Sequence, residues 1–299
     1  MIRIGVDFGG SKIEAAALAP GGGYLARKRI PNPRGYEAAI AAVLTLVSEI
    51  ERESGGAGTI GVGAPGSVSP STGLMRNANS TWLNGRPFRE DLEAALGRPV
   101  RLANDANCLA LSEAADGAAT SAKVTFAVIL GTGCGGGLAI DGRLIEGASG
   151  IAGEWGHMPL PWPDSRETPG PACWCGLAGC METWVSGTGL ARDHVVSGGS
   201  PLSAEAIVAA ARSGDARAAA SLGRYVDRLG RGLAVICNII DPNVIVFGGG
   251  MSKASEIYAA LPAAIASRVF ADAWRGRLGP AHWGDASGVR GAARLWDGD

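Results

Sequence analysis

The sequence predicts an α/β protein with two domains that share a cleft. Apolar runs with the length of buried strands alternate with amphipathic helical patterns along the chain. One arrangement, a strand followed by a glycine turn and a second strand, occurs at residues 2–18 and again at residues 124–142. A chain of 299 residues is long enough for two domains, so we interpret the two copies as one in each domain.

Composition excludes several classes of protein. The chain is 46% hydrophobic and 18% charged, which favours a large core over disorder. Its net charge of -1 argues against nucleic acid as the main partner. No window reaches the ~20 apolar residues of a membrane span, and Asp7, Lys12 and Glu14 interrupt the first apolar run. We therefore expect a cytoplasmic protein without a membrane partner.

The first glycine turn lies between a strand at residues 2–6 and a second apolar run from Ile13 to Leu18. Such a turn is an ordinary β-hairpin connection, but it also presents backbone N–H groups without a Cβ in the way, as a phosphate chain requires. The sequence Asp7-Phe8-Gly9-Gly10-Ser11-Lys12 is neither a P-loop nor a dinucleotide fingerprint. From this turn alone, a plain hairpin and a phosphate site are both open.

The rest of the first half alternates helices and strands. The pattern predicts a helix over 35–53 with an apolar stripe, a strand at 59–64, a helix at 88–96 and a strand at 100–103; the stripe consists of Ile40, Val43, Leu44, Val47 and Ile50. The strand at 59–64 ends in Pro65-Gly66-Ser67. Because ligands of α/β sheets bind at the carboxyl ends of strands, Gly66 is a candidate site residue.

Two polar segments of this half are candidates for contact with a ligand. Residues 77–85, which include Asn79, are polar with one tryptophan, so they form either a solvated loop or a loop facing a sugar. Asn104 and Asp105 follow the strand at 100–103 and open a helix over 106–117. Asp105 can be the helix N-cap, which is the common role of such a residue, and it can also carry chemistry.

The second half repeats the scheme. A buried strand at 124–130 leads into Gly131-Thr132-Gly133-Cys134-Gly135-Gly136-Gly137, and helices are predicted at 203–212 and 215–238. A strand at 243–247 ends in Gly248-Gly249-Gly250, followed by a helix over 255–269; a closing helix at 287–295 has no evident packing partner. Two glycine hairpins that face each other would hold a polyphosphate from both sides, and the third glycine run is suited to the flat base of a nucleoside.

Residues 153–189 contain a candidate metal site. Three of the six cysteines, Cys173, Cys175 and Cys180, lie within eight residues, and His157 lies upstream. Thiolates and imidazole are the ligands that zinc prefers, four at a time and tetrahedral. Buried free thiols or a disulfide are the alternatives, but nothing in the sequence indicates an oxidising compartment. We predict a structural zinc site, because all four ligands come from protein.

These segments together resemble a known family along the whole chain. Asp7–Lys12, Gly131–Gly137 and Gly248–Gly250 resemble the nucleotide-binding segments of the actin-like ATPase superfamily. Gly153-Glu154-Trp155-Gly156-His157 and the cysteine segment ending at Glu182 are similar to the signature of its ROK branch, named for repressors, open reading frames and kinases. Residues 77–85, 102–108 and 153–162 most resemble bacterial fructokinases of the manno(fructo)kinase type. Ser11 replaces the usual threonine of the family and keeps the hydroxyl.

The resemblance implies two actin-like (ribonuclease H-like) α/β domains with ATP and a sugar in the cleft between them. We place the first domain at residues 1–117 plus 287–299 and the second, with the zinc loop, at residues 118–286. The implied nucleotide-binding residues are Asp7, Gly9, Gly10, Ser11, Lys12, Gly131, Thr132, Gly133, Cys134, Gly135, Gly248, Gly249 and Gly250. Asp7 would anchor Mg²⁺ indirectly, through groups bound to the ion, and Lys12 would help to neutralise phosphate charge.

The resemblance also implies a role for each sugar-site residue. Asp105 would be the general base that takes the proton from the attacking sugar hydroxyl, a role that contributes roughly 10²–10⁴ in rate. Hydrogen bonds to the sugar would come from Gly66, Asn79, Asn104, Asp105, Glu154, His157 and Glu182. His157 would then use one ring nitrogen for zinc and the other for the sugar. For Glu154 and Glu182, pairing with an arginine is the alternative.

The implied function is an ATP-dependent hexose kinase that forms fructose 6-phosphate, with mannose as a further substrate. Kinases for glucose, mannose or an N-acetylhexosamine share the glycine turns and the aspartate, so these sugars stay open. A sugar-sensing repressor of the same family would carry an N-terminal helix-turn-helix, and we expect none because the first strand begins at residue 2. A sugar-binding protein without catalysis is disfavoured by Asp105. Family members are often homodimers, and we expect one here.

Overall fold

The computed structural model describes residues 1–297 of the chain, which form two compact units. The first unit contains residues 1–121, 138–152 and the segment from residue 282 onward, and the second contains residues 122–137 and 153–281. The sequence placed the boundaries at 117/118 and 286/287, and the last two residues of the predicted first domain lie outside the described residues. The segment 138–152, which we had expected in the second domain, is grouped with the first.

The helices and strands follow in chain order. The first half contains β1 (Arg3–Phe8), β2 (Lys12–Leu18), β3 (Tyr24–Pro31), α1 (Tyr36–Ser54), β4 (Thr59–Gly63), β5 (Ser67–Val68), β6 (Met75–Arg76), α2 (Phe88–Leu96), β7 (Val100–Ala103) and α3 (Asp105–Asp116). The second half contains β8 (Val124–Leu130), β9 (Cys134–Ile140), β10 (Arg143–Leu144), α4 (Glu182–Val185), α5 (Gly187–Val196), α6 (Ala204–Arg212), α7 (Ala216–Ile240), β11 (Val244–Gly248), α8 (Ser255–Ala266), β12 (Arg277–Pro280) and α9 (Ser287–Ala293).

The two five-stranded sheets have matching strand orders. The first is β3-β2-β1-β4-β7 and the second is β10-β9-β8-β11-β12. In the first sheet, β1, β2 and β3 pair antiparallel, whereas β1, β4 and β7 are parallel neighbours. In the second sheet, β8, β11 and β12 are parallel. The internal repeat that the two glycine turns indicated is therefore a repeat of whole sheets, and the mixed α/β fold with two sheet-containing units is confirmed.

Segment 138–152 joins the first unit through β10. This short strand pairs with Ala139 and Ile140 at the end of β9 and contacts α3. The Ile145 N–H donates to the Leu138 carbonyl, and the Ala152 N–H donates to the Glu146 carbonyl. These hydrogen bonds form within the segment. They cannot be predicted from the pattern of apolar residues, which is why the domain boundary was placed elsewhere.

One face of α1 covers the first sheet. Its buried residues are Tyr36, Ala39, Val43, Leu46, Val47 and Ile50, and they pack in one core with apolar side chains of β1 and β4. The predicted stripe was wrong at Leu44, which is 38% exposed. At 100° per residue, the buried face extends over about 100° from Leu46 to Val47, and Leu44 lies about 60° beyond Val47. The predicted stripe was therefore rotated away from the centre of the buried face.

The closing helix α9 has a packing partner that the sequence left open. It packs against α3, β1 and β4 within the first unit. Gly291 allows this close approach, since a Cβ at this position would lie 1.8 Å from the Cys108 carbonyl oxygen. A helix that packs through glycine and alanine has few large apolar residues, and its pattern is therefore weak. No helix among residues 1–297 is long and apolar enough to cross a bilayer.

Candidate active site

The first unit gathers three predicted site segments at one edge of its sheet. Asp7 of β1 aligns with Gly63 of β4, and Gly63 aligns with Ala103 of β7. The chain leaves these parallel strands through the first glycine turn, through the loop containing Gly66 and through Asn104. Carboxyl ends of parallel strands are where α/β sheets bind ligands, so this edge is a candidate active site.

Asn104, and not Asp105, is the N-cap of α3. The Asn104 Oδ1 accepts a hydrogen bond from the Asn107 N–H at 2.7 Å, and Asn104 itself is extended. Asp105 is the first residue of the helix, and its Oδ1 accepts a hydrogen bond from the Ala106 N–H at 2.9 Å. The Asp105 side chain is exposed, so a carboxylate held at a helix N-terminus remains accessible to a ligand.

The negative charge of Asp105 acts on the neighbouring carboxyl group of Asp7. Burial raises the pKa of Asp7 to about 6, with further increases from the charges of Asp105 and Glu14. Desolvation by the surrounding protein also raises the pKa of Asp105, although solvent reaches its side chain. A largely desolvated carboxylate with a second carboxylate beside it favours a bound cation, because the cation offsets the repulsion. The position of Asp7 thus fits the predicted magnesium anchor.

Glu14 is a buried carboxylate that the sequence analysis did not assign. It lies opposite Asp7 in the β1/β2 pair, is 1% exposed, and forms ion pairs with Arg27 and Arg29 of β3. A glutamate inside the apolar run from Ile13 to Leu18 was the available signal. Because directly paired residues project from the same face of a sheet, Glu14 contributes to the charge that acts on Asp7.

The first glycine turn has the donors that the sequence predicted. The Gly9 N–H donates to the Lys12 carbonyl at 3.0 Å, which closes the turn. Among residues 1–297, neither the Gly10 N–H nor the Ser11 N–H donates to a protein acceptor. Gly10 and Ser11 are both exposed. Two adjacent amides that face solvent without a Cβ at Gly10 can accept an anion.

Gly66 and Asn79 lie near the same sheet edge. Gly66 has φ +79°, and a Cβ there would lie 2.3 Å from the Arg76 carbonyl oxygen. The following segment is held by the Asn84 side chain, whose Oδ1 accepts from the Ala78 N–H at 2.9 Å and whose Nδ2 donates to the Ala78 carbonyl at 3.0 Å. This clamp leaves the neighbouring Asn79 exposed, as a ligand contact requires.

In the second unit, the other two glycine turns are neighbours. β8 and β11 are parallel, with Gly248 aligned to Ile129, so Gly131 and Gly249 both follow strand ends at one edge. A Cβ on Gly249 would lie 2.4 Å from the Leu130 carbonyl oxygen. The start of α5 also reaches this edge, where the Gly187 N–H donates to the Gly131 carbonyl at 2.7 Å and the Thr188 hydroxyl donates to the Thr132 carbonyl at 2.8 Å.

The segment Gly153–His157 lies directly on β9. A Cβ on Gly153 would lie 2.4 Å from the Gly136 carbonyl oxygen, and the Trp155 indole N–H donates to the Gly135 carbonyl at 3.0 Å. Glycine therefore faces glycine where the two backbones meet. This packing explains the glycines of the segment and places Glu154 beside β9.

Glu182 and Cys134 are joined by a hydrogen bond. The Cys134 N–H donates to Glu182 Oε2 at 2.9 Å. Burial raises the pKa of the Cys134 thiol well above its usual value, and the charges of Glu182 and Glu154 raise it further. The two carboxylates thus converge near Cys134. The Cys134 thiol is buried and its N–H is engaged, and Cys134 and Gly135 belong to β9. Of the turn itself, Thr132 is exposed, and Gly131 and Gly133 on either side of it are half-buried.

The four predicted metal ligands come together. One ligand atom from each of His157, Cys173, Cys175 and Cys180 lies within 4.8 Å of the others. Cys175 Sγ and Cys180 Sγ are 3.6 Å apart, and Cys173 Sγ is 3.7 Å from His157 Nδ1. A tetrahedron around zinc with bonds of about 2.3 Å to sulfur has edges of about 3.8 Å. The donor set and its spacing therefore fit a zinc ion.

Trp174 is a second residue that the sequence analysis did not assign. Its indole N–H donates to Glu182 Oε1 at 2.6 Å. Its ring also makes an edge contact with the His157 ring, with centroids 5.0 Å apart. The available signal was an aromatic residue between two metal-ligand cysteines, but ligand spacing alone does not indicate a role for the residue between them.

Comparison with known proteins agrees with this geometry. The ROK family model matches residues 3–299. An N-acetyl-D-glucosamine kinase of Pectobacterium atrosepticum is 40% identical over 297 residues, covering 97% of each chain. The crystal structure of a ROK hexokinase from Thermus thermophilus matches with a TM-score of 0.88 at 34% identity, covering 99% of this chain and 97% of that one.

A third relative is a ROK glucokinase from Streptomyces griseus, solved in complex with glucose and AMPPNP. It matches with a TM-score of 0.79 at 28% identity and covers 99% of both chains. Family model, curated relative and solved structures all span nearly the whole chain. The chain belongs to the ROK family, with the actin-like α/β fold of its kinases.

Proposed function

We propose that this protein transfers the γ-phosphoryl group of ATP to a hexose, with Asp105 as general base and D-fructose as the substrate. The observation that carries the proposal is the accessible Asp105 carboxylate at the carboxyl edge of the first sheet. The ROK kinases among the relatives, at 28–40% identity, support sugar phosphorylation as the reaction class.

The reaction requires a base because a sugar hydroxyl is a weak nucleophile. Its oxygen forms a bond to the γ-phosphorus, the bond from that phosphorus to the bridging oxygen breaks, and ADP leaves. The hydroxyl proton passes to Asp105. A raised pKa makes Asp105 a better proton acceptor than an ordinary aspartate. Asn104 supports this role by capping α3, which leaves the Asp105 carboxylate free to meet the hydroxyl.

The nucleotide is assigned to the three glycine turns. The amides of Gly10 and Ser11, together with Lys12, would neutralise phosphate charge. The turns at Gly131–Gly133 and Gly248–Gly250 would hold the rest of ATP, and their proximity at one edge of the second sheet supports this. Asp7 would anchor Mg²⁺ indirectly, through groups bound to the ion, and the ion would supply charge neutralisation in phosphoryl transfer.

Sugar hydroxyls are assigned to Gly66, Asn79, Asn104, Glu154, His157 and Glu182. In the second unit, the convergence of Glu154 and Glu182 near Cys134 supports their part of this assignment. His157, Cys173, Cys175 and Cys180 would hold a structural zinc ion, whose role is to fix the loop. Because His157 Nδ1 faces the cysteines, its other ring nitrogen is left for the sugar.

D-Fructose is favoured by the resemblance of residues 77–85, 102–108 and 153–162 to fructokinases. N-Acetyl-D-glucosamine is the second candidate, because a relative with that name is 40% identical over 97% of the chain. The two sugars differ in ring form and in the acetamido group. The pocket therefore has to distinguish them through the placement of a few polar partners.

A coupled ADP-release assay over a panel of hexoses tests the proposal. The panel contains fructose, mannose, glucose, N-acetylglucosamine and N-acetylmannosamine, each with MgATP. We expect the highest kcat/KM for fructose. A highest value for N-acetylglucosamine would replace fructose and leave the reaction class intact, whereas turnover of no hexose would refute the kinase assignment. Sedimentation of the same preparation tests the expected homodimer.

A further inference from the structure

We propose that Trp174 is a sugar-binding residue that also orients the Glu182 carboxylate. The proposal rests on the hexose kinase function above and deepens it, since it adds a specificity-determining residue to the sugar site. Three features of Trp174 within the second unit support it: its exposure at the tip of a tight turn, its hydrogen bond to Glu182 and its contact with His157.

Trp174 is held at the tip of the cysteine loop. The Cys173 N–H donates to the Leu177 carbonyl at 2.8 Å, and the Gly176 N–H donates to the Cys173 carbonyl at 3.0 Å. These bonds close a turn around residues 174 and 175. The side chain of Trp174 is 63% exposed. A tryptophan fixed in such a position presents a large apolar face that a ligand can cover, and covering it is favourable.

The indole N–H fixes one oxygen of a predicted sugar ligand. It donates to Glu182 Oε1 at 2.6 Å, while Glu182 Oε2 accepts from the Cys134 N–H at 2.9 Å. The carboxylate is therefore held from two sides. Each carboxylate oxygen has two acceptor positions, so Glu182 can still accept a sugar hydroxyl while Trp174 and Cys134 keep its plane fixed.

The ring of Trp174 also contacts the second predicted sugar ligand of this unit. The Trp174 and His157 rings meet edge to face, with centroids 5.0 Å apart and planes at 86°. Trp174 thus contacts both His157 and Glu182, and its exposed face lies beside their polar atoms. A hexose has both C–H and hydroxyl edges, so an indole face next to a carboxylate and an imidazole is suited to it.

The alternative is that Trp174 only stabilises the folded cysteine loop. Two substitutions separate the roles. Trp174→Phe keeps an aromatic ring and removes the N–H, whereas Trp174→Ala removes both. Trp162→Phe is the matched control, because Trp162 is also exposed, at 56%, in the loop that precedes Cys173. Among residues 1–297, its side chain makes no hydrogen bond or ring contact with Glu182 or His157.

The experiment uses the full chain and the hexose that gives the highest kcat/KM in the panel. We expect Trp174→Phe to raise the KM for this hexose by about tenfold, the factor that corresponds to one hydrogen bond to a charged group. Trp174→Ala should raise it by about a hundredfold. The KM for ATP, the zinc content and Tm should stay near the wild-type values in Trp174→Phe. Trp162→Phe should match the wild type throughout.

Fluorescence gives a second measurement that does not depend on turnover. Addition of the hexose without nucleotide should change the tryptophan emission of the wild type and of Trp162→Phe, and the change should be lost in Trp174→Phe. A hexose KM that is the same in both Trp174 variants and in the wild type would overturn the proposal. So would loss of zinc together with equal rises in both KM values in Trp174→Phe, because that result shows a folding role.

These measurements distinguish failure of the Trp174 proposal from failure of the proposed kinase function. If no hexose is phosphorylated, the kinase assignment fails. If a hexose is phosphorylated and the Trp174 variants handle it like the wild type, only the role of Trp174 fails. If the best hexose is not fructose, the substrate assignment changes and the same variants are measured with the better sugar.

Discussion

The Asn104 carboxamide oxygen accepts a hydrogen bond from the Asn107 backbone N–H at 2.7 Å. This bond gives an acceptor to one of the backbone N–H groups in the first turn of α3 that have no partner within the helix, which is the usual role of an N-cap residue. Asp105, the next residue, is thereby released from the capping role and remains exposed. Because Asn104 is the N-cap, the Asp105 carboxylate is available for the role of general base that we propose for it.

Replacement of Asp105 by asparagine should separate catalysis from binding. Asparagine has nearly the same shape, but its side chain cannot accept a proton from the hexose hydroxyl. We expect kcat to fall by about 10²–10⁴, while the hexose Kd from calorimetry stays within a few-fold of the wild type. Asp141→Asn, on an exposed turn, is the control and should behave like the wild type. Equal turnover by Asp105→Asn would remove Asp105 from the mechanism.

Zinc should be present in the purified protein and should stabilise the cysteine loop. The four ligand atoms lie within 4.8 Å of one another, and structural zinc can contribute on the order of 10 kcal/mol to local folding. We expect a single zinc ion per chain by metal analysis, with loss of zinc and a lower Tm in Cys175→Ser.

Cys237→Ala is the matched control for the zinc prediction. Cys237 is a free cysteine of α7 and does not belong to the ligand cluster. Its substitution should leave the zinc content unchanged, whatever it does to stability. A metal-free wild-type protein with unchanged Tm, or a Cys175→Ser variant with full zinc content, would contradict a four-ligand site.

The sequence predicted the features that depend on local pattern. The runs Ile13–Leu18 and Val124–Leu130 are apolar enough to identify buried strands, and the glycines between paired strands identify turns. The edge strand β3 was missed because charged residues such as Arg27 and Arg29 interrupt it, and they are placed there to meet Glu14 of the neighbouring strand. A charge that is paired across strands cannot be recognised from spacing within one strand.

Part of the candidate site depends on backbone geometry that the spacing of residues does not give. Whether Asn104 or Asp105 caps α3 is decided by backbone angles, since both are good N-cap residues. Trp174 meets Glu182 because the turn at Cys173–Gly176 folds back on itself. The ligand spacing indicates that a turn exists there, but it does not give the direction in which the intervening side chain points.

A buried ionic network in the second unit should make stability depend on pH. Burial by itself would raise the pKa of Glu167, but hydrogen bonds from Arg231 and Arg228 lower it to about 2 from 4.5. A carboxylate with a lowered pKa stabilises the folded state above its unfolded pKa, and this contribution is lost as the pH falls from about 4.5 to about 2. Urea denaturation across this range should show the loss.

Glu167→Gln should remove most of that pH dependence and destabilise the protein at neutral pH. It removes one counter-charge from the buried Arg228 and Arg231, which keep Asp193 and Asp227 as partners, so we expect a loss of about 1–3 kcal/mol. Glu256→Gln is the control, since Glu256 pairs with the exposed Arg212 and such pairs contribute about 0–1 kcal/mol. If Glu167→Gln is as stable as Glu256→Gln at neutral pH, the buried network does not stabilise this unit.

The packing around two helical glycines predicts that replacement of each by alanine has opposite effects on the free energy of unfolding. In Gly291→Ala the new Cβ would lie 1.8 Å from the Cys108 carbonyl oxygen, and backbone cannot move aside cheaply. We expect a loss of roughly 1–3 kcal/mol or more in the free energy of unfolding. Gly223 of α7 is also helical, but a Cβ there meets nothing within 4 Å. Gly223→Ala should therefore stabilise the protein by about 0.5–1 kcal/mol.

Urea denaturation of the two variants under the same conditions checks the sign of both effects. Because α3 carries Asp105 at its first turn, displacement of this helix by Gly291→Ala should also lower kcat, while Gly223→Ala should leave kcat unchanged. If Gly291→Ala were stabilised to the same extent as Gly223→Ala, the contact between α9 and α3 would have to be looser than the structure shows. The Asp105 carboxylate would then need another element to hold it in place.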